Sequence, residues 1–446
     1  MTYGQNIAAI STAPGTGGVA VIRISGESPL AIAEKMFRPI GKTPVKDFEP
    51  YKMYPGEIDG GDFTDFGMCV FFRGPKSYTG EDTIEFHCHG GVAISRGVLK
   101  RALALGARMA TNGEFTRRAF LNGKMSLSSC EGLIDMINSE SVGGVRAGYY
   151  LYREKLNAIV KEMQAKLTYA LAFLNADIDY PDEGVGEDNA EDIRGSLCEV
   201  LKKTDDLLSR YGKGRTIKSG VKVALLGRPN TGKSSFLNRL LDYEKAIVSS
   251  VAGTTRDLVE GEIVIDGVKY LLTDTAGIRD SGDDLENSGI ERSVRAMKES
   301  DVCVVVLDGS LPLGEDDKKV LEDTKDLERI VVVNKSDLPA VCDVIGDVRV
   351  SAKTGEGVDE FRALLSEKAM GGKIDFNADF LTEERHKDAL LRVREALSDA
   401  LSGMDRTPDL VTIDIKDAWE ALGEISGESA NERIIDEIFG KFCVGK

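Results

Sequence analysis

Gly227-Arg228-Pro229-Asn230-Thr231-Gly232-Lys233-Ser234 reads G-x-x-x-x-G-K-S, and it stands between an apolar run at 221–226 and a helical pattern at 235–241. Strand, glycine-bearing loop and helix in that order make a cradle for a phosphate. The glycines let the backbone turn its N–H groups, together with the helix N-terminus, towards an anion. The Lys233 ammonium is then placed for the terminal phosphates and the Ser234 hydroxyl for Mg²⁺. Eight residues alone would also fit a glycine-rich turn, so the reading depends on the rest of the chain.

Downstream, Ala252-Gly253-Thr254-Thr255-Arg256-Asp257 supplies a threonine hydroxyl able to reach the same Mg²⁺. A hairpin is expected across Asp266-Gly267, between 262–265 and 268–272. It runs into Asp274-Thr275-Ala276-Gly277, a carboxylate at a strand end that can hold the metal through water and a glycine that can sense the γ-phosphate. Apolar strands at 302–307 and 330–333 follow, the second ending in Asn334-Lys335-Ser336-Asp337, and 348–350 leads into Ser351-Ala352-Lys353. Asp337 can accept from the N1–H and 2-amino group of guanine, which adenine does not offer. A buried carboxylate left unpaired then rejects the wrong base. Five motifs in this order, each at the end of an expected strand, define an α/β domain whose nucleotide is GTP.

Hydrolysis needs a positioned water. Small GTPases usually carry a glutamine just after Asp-x-x-Gly, but here that residue is Ile278, which cannot hydrogen-bond. Another residue must hold the water, and the acidic segment 280–291 follows at once. No arginine finger is evident, so transition-state charge is expected to meet a bound ion. Asn230 offers an oxygen ligand for a monovalent cation.

The remaining chain sets the frame. Its 446 residues, 42% apolar and 29% charged, are those of a globular protein of several domains. A formal charge of −17 argues against coating nucleic acid by bulk charge, so such a partner needs a local basic patch or a second protein. Seven scattered cysteines fit reduced thiols, no apolar run approaches the roughly 20 residues of a membrane span, and no signal peptide is visible; we read the chain as cytoplasmic.

Residues 1–118 are expected to form a small α/β domain, with strands at 7–10, 19–24, 68–72 and 83–88 and a helix at 92–105. His87-Cys88-His89 puts two imidazoles on one strand face, but zinc wants three or four ligands and no other Cys/His cluster is nearby. Arg23, Glu81 and Lys124 read, on spacing alone, as solvated charge. From 119 the pattern is helical. Ser128 is placed to cap and Glu131 to reach back, a long helix is expected over 145–178, and another over 191–211. Helices return at 382–401, 415–422 and 428–439. Neither helical stretch makes a core by itself, so one helical domain (119–217 and 373–446) is interrupted by an inserted domain (218–372). The glycines of 211–215 and 371–373 are expected to be the hinges.

GRPNTGKSS at 227–235, AGTTRD at 252–257, DTAGIRD at 274–280, GIER at 289–292, SYTGEDTIEFHCHGG at 77–91, GEFTRRAFLNGK at 113–124 and the terminal FCVGK at 442–446 together resemble the MnmE (TrmE) family of tRNA-modification GTPases. The terminus differs from the family's usual Cys-Ile-Gly-Lys by valine for isoleucine. The resemblance runs end to end. It implies an N-terminal folate-binding and dimerisation domain, and a helical domain interrupted by a Ras-like P-loop GTPase domain with a doubly wound, mostly parallel sheet. It also implies work on tRNA with an FAD-dependent partner, MnmG (GidA), in a heterotetramer or larger assembly. That pair would install an aminomethyl-type (carboxymethylaminomethyl) group at the five-position of wobble uridine. A 5-formyl- or methylene-tetrahydrofolate would supply the carbon.

Position by position, the resemblance implies GTP contacts from Asn230, Thr231, Gly232, Lys233, Ser234 and Ser235, and from 249–255 (Ser249, Ser250, Val251, Ala252, Gly253, Thr254, Thr255). It adds Asp274, Thr275, Ala276, Gly277, Asn334, Lys335, Asp337, Ser351, Ala352 and Lys353. It implies Mg²⁺ on Ser234 and Thr255, K⁺ on Asn230, Ser249, Val251 and Thr254, and Glu286 as the glutamate that polarises water. Arg23, Glu81, Lys124 and Lys446 match the folate positions. Cys443 stays open between a small packed apolar side chain and a chemical role at the modified base. A GTP-gated ribosome-assembly factor is the alternative function, because related GTPases share the phosphate-loop sequence. Such factors typically append a basic RNA-binding module, whereas this chain carries an acidic helical domain.

Overall fold

The computed structural model describes residues 4–179, 187–245, 261–274, 295–372, 380–404 and 407–446. They group into two compact units, one of residues 1–134, 151–201 and 392–446, the other of 135–150 and 202–391.

The first unit is built on β1 (Ile7–Ile10), β2 (Val19–Gly26), β3 (Phe37–Pro39), β4 (Met53–Asp59), β5 (Thr64–Phe72), β6 (Asp82–His89) and β7 (Arg108–Met109), in the order β3-β4-β5-β6-β2-β1-β7. Alternation decides its two faces, because side chains on a strand point to opposite sides in turn. Antiparallel β2 and β6 pair Ile22 with Phe86, Arg23 with Glu85 and Ile24 with Ile84. Ile22, Ile24, Ile84 and Phe86 are therefore buried on one face, under α1 (Pro29–Met36) and α2 (Val92–Ala104). Each such side chain contributes about 1.5–3 kcal/mol by leaving water. Arg23, Glu85 and His87 share the opposite face. There α3 (Glu114–Leu121) presses Phe115 onto Ile7 and Ala9.

The helices depart from the sequence expectation in three places. In α4 (Leu127–Asn138) the cap is Ser126, whose hydroxyl accepts from the Ser129 N–H at 3.2 Å; Ser128 lies inside the first turn. The expected long helix is two, α5 (Val142–Tyr152) and α6 (Lys155–Asp179). They are parted at Glu154, which has φ 59° and whose carboxylate accepts from the Ser126 N–H at 2.9 Å and from Asn157 at 2.7 Å. Finally, α7 (Glu187–Ser219) runs straight through the glycines expected to be a hinge. A Cβ on Gly214 would stand 2.3 Å from the Leu381 carbonyl oxygen, so that glycine serves close approach rather than bending.

The second unit holds β8 (Val221–Leu226), α8 (Lys233–Lys245), β9 (Gly261–Ile265), β10 (Val268–Asp274), β11 (Val302–Asp308), α9 (Glu315–Asp323), β12 (Arg329–Asn334), β13 (Val348–Arg349) and α10 (Val358–Met370). The sheet order is β13-β12-β11-β8-β10-β9, parallel except for the β9–β10 hairpin. Phe236 and Leu240 of α8 and Phe361 and Leu365 of α10 fill one face. Val320 of α9 packs against clusters on the other. Covered on both faces, β11 is buried at every residue, which is why its sequence is a continuous apolar run.

The turn of the β9–β10 hairpin is tied at three points. Gly143 N–H donates to the Gly267 carbonyl at 2.8 Å, Lys269 meets Glu140 at 2.9 Å and Ser366 donates to Asp266 at 3.0 Å. The chain continues through α11 (Glu384–Ser402), α12 (Pro408–Ser426) and α13 (Glu432–Gly440). Trp419 of α12 donates its indole N–H to Thr168 of α6 at 3.1 Å and accepts from Gln164 at 3.3 Å through its carbonyl. Helices from before and after the inserted domain thus share one interface. Among the described residues no helix is long and apolar enough to cross a membrane.

Candidate functional site

Among the described residues, the ends of β8, β10, β12 and β13 carry nucleotide motifs. The loop 227–232 joins β8 to α8. Lys233, buried behind it, donates to the Gly227 and Arg228 carbonyls at 2.7 and 2.8 Å. Burial lowers its pKa, and the Asp274 carboxylate works against that. Ser234 donates to Asp274 at 2.8 Å, so the hydroxyl and carboxylate expected around Mg²⁺ already face each other. An all-oxygen pair of this kind suits a hard divalent cation. Asn230 is exposed with φ 64°, and Ser235 is exposed on α8.

Asn334 ends β12 and bridges the two halves of the pocket. Its amide N–H donates to the Thr231 carbonyl at 2.9 Å, and its oxygen accepts from the Ala352 N–H at 3.1 Å. Lys335 reaches Asp308 at 2.5 Å and the Asn230 carbonyl at 3.2 Å. Burial alone would raise the Asp308 pKa, but bonds from Lys335 and Ser310 more than offset it and leave it lowered. Sequence reading passed over Asp308, although it ends an apolar strand just as Asp274 and Asn334 do. Asp337 accepts from the Ser351 hydroxyl at 2.7 Å, and that bond holds its carboxyl below the usual range. The carboxylate is exposed rather than buried. The penalty for an unmatched base therefore arises only once a base covers it. Ser249, Ser250, Val251, Ala252, Gly253, Thr254, Thr255, Thr275, Ala276, Gly277 and Glu286 lie outside the described residues.

In the first unit, Arg23 donates to Glu85 at 2.7 Å from the opposite strand, with both side chains mostly covered. The guanidinium stands 5.2 Å from the Tyr78 ring centre and 5.6 Å from that of Phe115. Burial would raise the Glu85 pKa, but His87 and Arg23 prevail and lower it. The chain's last residues join this face. Phe115 N–H donates to the Lys446 carbonyl at 3.2 Å, Gly113 N–H to that of Cys443 at 3.4 Å, and Val444 bridges Asn112. Gly445, with φ 104°, lies so close that a Cβ would stand 2.2 Å from the Ile10 carbonyl oxygen. The Lys446 ammonium has its pKa lowered by burial and then by Arg23, with Glu85 opposing.

Two expected members behave differently. Glu81 is taken up by Arg118 at 2.9 and 3.2 Å and by the Ser25 hydroxyl at 3.0 Å. Arg118 also holds Glu114 at 3.1 Å, which Arg108 grips from the other side. The carboxylate beside Arg23 is Glu85, a residue sequence reading did not single out. The alternation that puts it on the face of His87 was its only signal. Lys124 is exposed and donates to the Pro75 carbonyl at 2.8 Å. The Cys443 thiol is exposed. His87 and His89 face carboxylates, Glu85 at 3.4 Å and Asp65 at 2.7 Å, and among the described residues no His/Cys/Asp/Glu group is arranged to hold a metal.

A phosphate loop at the head of a mostly parallel, doubly covered sheet, inserted between packed helices, defines a P-loop GTPase fold within a larger chain. Comparison with known proteins agrees. A family model described as "GTP-binding protein TrmE N-terminus" matches residues 6–124, and "MnmE helical domain" matches 127–443. The tRNA modification GTPase MnmE of Natranaerobius thermophilus is 37% identical, and that of Moorella thermoacetica 39%, each over 99% of both chains. A solved structure of Aquifex aeolicus Era bound to GDP·AlF4⁻ is 24% identical, over 40% of this chain and 66% of that one, with a TM-score of 0.26. The chain belongs to the MnmE family of tRNA modification GTPases.

Proposed function

We propose that this protein hydrolyses GTP to drive a tRNA-modification cycle. With a flavin-dependent partner it installs an aminomethyl-type (carboxymethylaminomethyl) group at the five-position of wobble uridine, on a carbon carried by tetrahydrofolate. The observation that carries the reading is the first unit's polar face, where Arg23 of β2 meets Glu85 of β6 and the backbone of the chain's last residues is bonded to α3 and the loop before it. A face carrying a carboxylate and a guanidinium suits a reduced folate, whose pterin edge donates to a carboxylate and whose glutamate tail is anionic. Arg23, Glu81, Lys124 and Lys446 are the proposed folate contacts, with Glu85, bonded to Arg23, as a further carboxylate on the same face.

In the nucleotide domain, proposed here to span 218–372, Asp337 reads guanine. Ser234 and Thr255 would hold Mg²⁺, which neutralises charge on the phosphates. Asn230, Ser249, Val251 and Thr254 would hold K⁺ in place of an arginine finger, and Glu286 would orient the water. Within that scheme Lys233 and the loop N–H groups bind and orient the phosphates, and Asn334 keeps base loop and phosphate loop in register. Two chains pairing through their N-terminal sheets would bring two folates near one cleft for the uridine, in the cytoplasm. Mass analysis of tRNA nucleosides from cells lacking the protein tests this. The uridine modification should vanish and return with the wild-type chain but not with Arg23→Ala; unchanged nucleosides would overturn the reading.

A further inference from the structure

Arg239 lies on α8, six residues beyond the phosphate-loop lysine, and reaches across to the loop after β13. Its Nε donates to the Ala352 carbonyl at 2.9 Å and its Nη2 to the Lys353 carbonyl at 2.5 Å. Two consecutive carbonyls on one rigid, planar fork fix two peptide planes, because the guanidinium cannot satisfy both in more than one orientation. A trans peptide keeps its N–H opposite its C=O, so turning the Ala352 carbonyl towards α8 turns the Lys353 N–H away from it. The rest of the loop is set on the same frame. Ser351 Oγ donates to Asp337 at 2.7 Å and accepts from the Thr354 N–H at 3.1 Å, and the Ala352 N–H is bonded to Asn334 at 3.1 Å. No group of Arg239 is needed by the phosphates, which are served by the N-terminal end of its helix.

We propose that Arg239 is a positioning residue for guanine selection. It pins the 351–353 loop to the phosphate-binding helix so that loop N–H groups face an oxygen, and not an amino group, at the six-position of the purine. The proposal rests on Asp337 and this loop reading the base.

The test uses the full-length chain and compares GDP with 2,6-diaminopurine riboside diphosphate, which keeps the 2-amino group but lacks the N1–H and carries an amine in place of the six-oxygen. The Asp337 contribution is common to wild type and the Arg239 variants and cancels in the change of preference. Bonds from a charged donor are worth about tenfold or more in affinity. Arg239→Ala should therefore weaken GDP binding and narrow the preference for GDP by about tenfold, with kcat at saturating GTP within about threefold of wild type. Arg239→Lys, which can keep one of the two bonds, should narrow it less, and supplies the answer should the alanine variant fail to fold. Unchanged preference in both variants, or an equal loss for both nucleotides, overturns the proposal. Asp337→Asn separates the underlying reading. If that variant gains xanthine nucleotides while the Arg239 variants behave as wild type, only Arg239 is wrongly assigned. If it gains nothing, the base site itself is misplaced and the proposal falls with it.

Discussion

Gly445→Ala should detach the last residues from the N-terminal sheet without unfolding anything else. At φ 104° an L side chain costs about 1–2 kcal/mol. The added Cβ would also stand 2.2 Å from the Ile10 carbonyl oxygen, a backbone atom that cannot swing aside. Relief needs a shift of most of an ångström by β1 or by the tail. Strand β1 is paired on both sides, with β2 and β7, and stays. The tail is held by two backbone hydrogen bonds, of 3.2 and 3.4 Å, and the Val444 bridge. At about 0.5–1.5 kcal/mol each these are comparable to the strain, so the tail leaves. Losing a charge-assisted contact from Lys446 then costs roughly 10–150-fold in folate affinity. Calorimetric titration with 5-formyltetrahydrofolate reads that loss, and hydrogen exchange at the Phe115 amide reads the detachment. GTP hydrolysis, resting on residues of the other unit, should stay within about twofold. Wild-type folate affinity together with wild-type protection at Phe115 would refute the packing argument.

Three further outcomes are expected. Asp337→Asn should move nucleotide preference from guanine to xanthine, measured by competition binding; unaltered GTP affinity would show that another group reads the base. Hydrolysis should be faster in K⁺ than in Na⁺ at equal ionic strength, and Asn230→Ala should abolish the difference; equal wild-type rates would remove the cation from the scheme. Asp135 sits 2.8 Å from Lys218, and burial, then Glu383, push its pKa from 3.8 up to about 8 in spite of that lysine. The native state therefore keeps a proton that the unfolded state gives up between those values, so this stabilising contribution is full in acid and lost as pH rises towards about 8. Asp135→Asn, neutral throughout, should gain in melting temperature relative to wild type from about pH 5 to about pH 8.5, and a gap independent of pH would count against the shift.

The nucleotide domain was legible because its information is local. Each motif among the described residues follows an apolar strand, and a strand buried on both faces announces itself as a run such as 302–307. What failed was read from residue type where tertiary contact decides. Gly212 and Gly214 looked like a hinge, yet Gly214 is small because the Leu381 carbonyl needs its space. Ser128 satisfied a capping-box pattern that Ser126, followed three residues later by Ser129, does not, yet the start of α4 selected Ser126. The break at Glu154 has no glycine or proline to mark it; a carboxylate shared by Ser126 and Asn157 holds it. Glu85 could not be told from any exposed acid until the β2–β6 register set it opposite Arg23.

The β9–β10 hairpin enters the chain directly after the threonine loop and leaves it at Asp274. A hydrogen-bonded ladder of this kind slides or tilts as one piece but does not stretch. Its far end is moored to Gly143, Glu140 and Ser366. A displacement of the ladder as one piece would therefore load those moorings. The hairpin is a rigid strut between the Asp274 end of β10 and the corner between α4 and α5.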